Sequence, residues 1–184
     1  MGEIQVTNNR ILKLTLAAVC LALCMVLPFL TGQIPEIGSM LCPMHIPVLL
    51  CGFLCGPVWA AIVGAIAPML RFALFGMPPL FPTGMAMAFE LAAYGTISGL
   101  MYQLLPKKPM HVYTALITAM IAGRIVWGAV MLILSGVTGK AFTFAAFLAG
   151  AFTNAVPGMI LHILLIPVIV LAVSKALPWL KTKA

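Results

Sequence analysis

Ionisable side chains are so scarce in this sequence that each one inside an apolar stretch is a candidate for chemistry. There are three acidic residues against ten lysines and arginines, and no aspartate at all. Within the apolar runs stand Arg71, Glu90, Arg124, Asn154, His45 and His162. A charge in such surroundings is costly and marks a functional site by default. Two arginines against one glutamate leave a surplus positive charge, which suits a monoanionic ligand. An arginine can hold a carboxylate through two parallel hydrogen bonds. The competing reading pairs Glu90 with Arg124 as a structural ion pair and lets Arg71 reach out to the interface. His45, at the start of a short helix, is a further pocket candidate, whereas His162 reads as a packed, hydrogen-bonded histidine.

Catalysis finds little support among these residues. Without aspartate there is no phosphorylated aspartate and no aspartate to hold Mg²⁺. No His-x-x-x-His pair and no paired carboxylates are present for a metal, and neither metal nor cofactor is expected. The stretch Gly136-Val137-Thr138-Gly139-Lys140 lacks the spacing of a phosphate loop and follows no strand. No enzyme activity is expected.

The elements that must position these groups are apolar helices. The chain of 184 residues is 64% hydrophobic and 7% charged, with a mean hydropathy of +1.19. A soluble domain carries about a quarter charged residues. Long, continuously apolar runs separated by short loops predict an all-α, polytopic membrane protein in a single domain over residues 1–184, and exclude the alternation of barrel strands. The net charge of +7 lacks the basic stripe with interleaved aromatics that a nucleic-acid partner needs. The bilayer is the expected partner. The five cysteines all lie in or beside apolar helices and read as small hydrophobes.

Six transmembrane helices follow from the breaks. After a polar tail, 1–10, helices are expected over about Leu12–Leu30, His45–Cys55, Pro57–Phe75, Thr83–Leu105, His111–Leu134 and Phe144–Leu177. Pro68 should kink the third, and Pro157 and Pro167 lie within the long sixth. The first run is read as a span, not a cleaved leader, because no soluble segment follows it. Six spans put both termini on one side. Arg10, Lys13, Lys107, Lys108, Lys175, Lys181 and Lys183 fall on that side and only Lys140 opposite, so the termini are expected in the cytoplasm. With a 1.5 Å rise per residue, Arg71 then lies roughly 5–7 Å below the outer surface, Glu90 about 12 Å, and Arg124 and Asn154 about 15 Å. Two loops, Thr31–Met40 and Gly76–Pro82, cover the same face as candidate lids. Small residues four apart, Ala18-x-x-x-Ala22, Gly52-x-x-x-Gly56 and Gly95-x-x-x-Gly99, allow close helix contacts.

The stretches PMHIPVLLCGFLCGPVWAAIVGAIAPMLRFALFG and MPPLFPTGMAMAFELAAYG, with the short second helix and the Gly56-Pro57 turn, resemble the substrate-binding S-components of energy-coupling-factor (ECF) vitamin transporters. The likeness covers nearly the whole chain and is nearest the group with pantothenate and riboflavin binders. It implies a multi-pass protein of the bacterial cell membrane that binds a small-molecule vitamin from outside. It also implies docking on a transmembrane T-component through Ala18 and Ala22, with two cytosolic ATPase subunits driving release. The vitamin sites of the family correspond to both lid loops and to Glu90, Arg124 and Asn154. Pantothenate matches the surplus charge and Asn154; pyridoxine and riboflavin are the alternatives. Outside this family, a stand-alone ion-coupled carrier is the alternative, against which stand the lack of a visible inverted repeat and the single intramembrane carboxylate. A scaffolding subunit would bind no small molecule.

Overall fold

Helices follow one another along the computed structural model, which describes residues 2–31, 34–106, 108–139 and 143–176. Among the described residues there is no strand. Lys107, Lys140, Lys181 and Lys183, four of the cations behind the expected orientation, lie outside them.

Helix α1 spans Gly2–Val26. The expected polar tail is therefore helical: nothing between residues 3 and 27 is Gly or Pro, so no residue there stops propagation. Pro28 then removes a donor, and the chain tightens into a 3₁₀ turn over Leu27–Thr31. The first lid loop also contains a helix, α2, over Pro35–Leu41. A proline in its first turn and Glu36 beside the positive end of the dipole favour it, and Cys42 closes it in the left-handed conformation. Helix α3 covers His45–Cys55 and α4 covers Pro57–Phe75, joined at Gly56 with φ 96°. Helix α4 runs uninterrupted through Pro68.

The second lid carries cis peptide bonds at Met77-Pro78 and Phe81-Pro82 and winds through a wide turn over Leu80–Gly84 into helix α5, Met85–Leu104. Helix α6, Pro109–Thr138, is longer than expected at both ends. The expected sixth helix is broken. Helix α7, Phe144–Leu148, passes through a wide turn over Ala149–Thr153 and restarts as α8, Val156–Ala176. Pro157 sits in the first turn of α8, where its missing N–H costs nothing, so Asn154 occupies a turn and not a helix face.

Helix α5 is the centre, packed against α3, α4 and α6. Its approach to α4 is close enough that a methyl group on Gly64 would fall 2.5 Å from the Leu91 carbonyl. At the α3–α5 contact a methyl group on Gly99 would meet the Gly52 carbonyl at 2.9 Å. One apolar cluster joins α3, α5, α6 and α8; a second joins α1, α3, α4 and α5 and contains Cys20, Cys24, Cys51 and Cys55.

The outward faces are apolar. On α6, Ile117, Ile121, Ile125 and Leu132 are exposed while Ala119, Gly123, Arg124 and Gly128 are buried. That inversion of soluble patterning fits a lipid surround. Four segments are long and apolar enough to cross a membrane: Arg10–Thr31, Pro57–Phe75, Pro109–Thr138 and Phe144–Ala176. Helix α3, with 11 residues, is apolar but short. Helix α5 has 20 residues but carries Glu90, Thr96, Ser98 and Gln103; it packs against α3, α4 and α6 on one side and exposes Phe89, Leu100 and Leu104 on the other. This is a membrane protein.

Candidate functional site

The floor of the site forms where α3, α5 and α6 meet. Met85 starts α5 just after the second lid, which places Met87 and Glu90 on one face, three residues apart. Arg124 and Trp127 share a face of α6 for the same reason. His45 opens α3 directly after the left-handed turn at Cys42.

Glu90 Oε1 lies 2.9 Å from Arg124 Nη1 and 3.4 Å from His45 Nε2. All three are buried, at 1%, 5% and 3% exposure respectively. The Glu90–Arg124 contact is ionic without hydrogen-bond geometry, and Glu90 Oε1, Arg124 Nε and both His45 nitrogens are left without hydrogen-bond partners. Arg124 Nη2 donates to Cys42 Sγ at 3.5 Å. Tyr94 packs edge-on against His45 with ring centroids 5.0 Å apart, and His162 stacks behind it at 6.0 Å. His162 is buried, as expected, and its Nε2 has no hydrogen-bond partner among the described residues.

Above this floor opens a cavity of about 530 Å³. Small-molecule sites commonly occupy roughly 300–1,000 Å³. Its wall includes Arg71, Asn154, Trp127, Met44, Met77 and Met87, and both lids contribute to its rim. Helix α2 is seated on α8, where a methyl group on Gly158 would fall 2.6 Å from the Met40 carbonyl oxygen. Every candidate ligand residue from the sequence, Arg71, Glu90, Arg124, Asn154 and His45, therefore borders one space. Ala18 and Ala22 lie elsewhere, exposed on the outer face of α1, while Ala17 is buried.

Two details bear on the competing reading, and a third corrects the charge count. Arg71 does not reach outward: it is buried at 4% exposure, and its Nη1 donates to the Met25 carbonyl at 2.7 Å. Its guanidinium lies 5.3 Å from the Phe29 ring and 5.2 Å from the Phe75 ring. Glu90 and Arg124 do pair, yet the pair remains in the cavity wall. The count of two arginines to one glutamate fails, because Glu36 on α2 lines the same cavity and makes it two to two among the described residues. Glu36 had been read as part of a lid and left out of the charge balance. Trp127, Met87 and Cys42 were also missed. The first two were within reach as three-residue neighbours of Arg124 and Glu90 on their helices; Cys42 carried no local signal.

A family model for the ECF transporter substrate-specific component matches residues 12–170. The chain belongs to that family. An ECF substrate-specific component is the transporter subunit that recognises the solute, and this subunit gathers Arg71, Glu90, Arg124, Asn154 and His45 around one cavity. No curated protein and no solved structure matches the chain.

Proposed function

We propose that this S-component captures a small water-soluble vitamin, with pantothenate as the best candidate, from the outer face of the bacterial cell membrane. In this reading the domain spans the bilayer six times with both termini in the cytoplasm. The ligand passes inward through a T-component docked on Ala18 and Ala22 and powered by two cytosolic ATPases.

The observation that carries the reading is the buried His45–Glu90–Arg124 floor beneath a cavity rimmed by two loops. Buried polar atoms left without partners are expensive, and a ligand that supplies the missing hydrogen bonds recovers that cost. Pantothenate offers a carboxylate, hydroxyls and an amide, so it can meet both the arginines and the carboxylates. This complementarity replaces net charge as the argument for it.

Equilibrium binding to the purified chain, with pyridoxine and riboflavin as competitors, tests the proposal. Tight pantothenate-selective binding without any partner is expected. Selective binding of a competitor would keep the family role and reject the vitamin; binding of none would reject all three. ATP depletion should stop uptake by the assembled transporter, whereas collapse of the proton gradient alone should not.

A further inference from the structure

The two arginines of the cavity are not equivalent. Arg124 faces Glu90 at 2.9 Å in a buried setting. A ligand carboxylate arriving there would be pressed against a like charge, with little water to screen it. The Glu90–Arg124 pair carries no net charge. It does carry buried acceptors and donors without hydrogen-bond partners, on Glu90, His45 and Arg124. Such a set is matched by an uncharged group that both donates and accepts.

Arg71 is the opposite case. Glu90 pairs with Arg124 and His45 and not with Arg71. Among the described residues its hydrogen bond goes to the neutral Met25 carbonyl, and the Phe29 and Phe75 rings flank the guanidinium. A guanidinium has five donors in a fixed fork, so the group is held in place with donors to spare. Glu36 also lines the cavity, and the ligand must clear it.

We infer that Arg71, and not Arg124, takes the ligand's carboxylate, while the Glu90–His45–Arg124 floor reads its uncharged hydroxyl and amide end. The ligand then lies with its neutral end against the floor. This assignment rests on the pantothenate reading and adds polarity and a specificity-determining residue to it.

The test compares pantothenate with panthenol, which carries an alcohol in place of the carboxylate, on the full chain. Charge-assisted hydrogen bonds predict that the wild type prefers pantothenate by roughly 10- to 100-fold. Arg71→Gln should remove that preference by weakening pantothenate and sparing panthenol. Arg124→Gln should weaken both compounds and keep the preference. Equal wild-type affinity, a preference that survives in Arg71→Gln, or one that vanishes in Arg124→Gln overturns the assignment. Should Arg71→Gln fail to fold, the Arg124→Gln ratio decides alone: retained supports, lost overturns. No wild-type binding of either compound overturns the vitamin reading together with this one. Failure of the assignment alone leaves wild-type pantothenate binding tight.

Discussion

Neutralising Glu90 as Glu90→Gln should destabilise the fold in a way that depends on Arg124. Glu90 Oε1 lies 2.9 Å from Arg124 Nη1, and their exposures are 1% and 5%. Breaking a buried pair by removing one partner costs about 3–5 kcal/mol in soluble cores, because the other charge is left uncompensated. In a bilayer the unfolded reference state also finds partners, which lowers such values. His45 at 3.4 Å gives no relief, since an imidazole brings no negative charge to replace the carboxylate. A coupling of about 2 kcal/mol is therefore expected, roughly 30-fold in the unfolding equilibrium. The assay is denaturant unfolding in detergent for wild type, Glu90→Gln, Arg124→Met and the double variant. Each single change should cost stability, and the double variant should cost clearly less than their sum. Additivity within about 0.5 kcal/mol would refute the argument that the two charges hold one another.

Other outcomes follow from the packing and the cavity. Gly64→Ala should destabilise by about 1–3 kcal/mol through overpacking against α5, whereas Gly136→Ala, whose added methyl meets nothing within 4 Å, should be neutral or stabilising. The same unfolding assay separates them. Trp127→Ala should weaken vitamin binding by roughly tenfold with the loss of an aromatic wall, read by the binding titration. Ala18→Trp and Ala22→Trp should leave binding by the isolated chain unchanged and abolish co-purification with a T-component.

The helical class was legible because continuous apolar runs admit no other backbone solution in lipid. The cavity residues were legible because charge is so rare here that Arg71, Glu90 and Arg124 could hardly be overlooked. What escaped was local or relational. Helix α2 spans only Pro35–Leu41 and has no apolar period long enough to stand out from a loop. The restart at Val156 depends on Pro157 acting as a helix starter, where a proline in a long apolar run reads equally well as a kink. Arg71 stands out in the sequence and lines the cavity, but its hydrogen bond joins residues 46 apart in sequence, a separation that spacing does not reveal. Glu36 was visible throughout, and only its place on the cavity wall makes it count.

The Arg71–Met25 hydrogen bond has a mechanical consequence. Met25 lies in the last turn of α1, where carbonyls lack partners within their own helix, and a cation there also meets the negative end of the dipole. The guanidinium thus acts as a cap supplied by another helix, tethering α1 to the wall of the cavity. The same α1 presents Ala18 and Ala22 on its outward face, about two turns and about one turn from that tether. Thermodynamic linkage runs both ways: whatever tilts α1 from outside strains the tether, and whatever draws on Arg71 from inside loosens it. If Arg71 holds the ligand and Ala18 and Ala22 the T-component, as proposed, occupancy and docking share a single lever, one residue long.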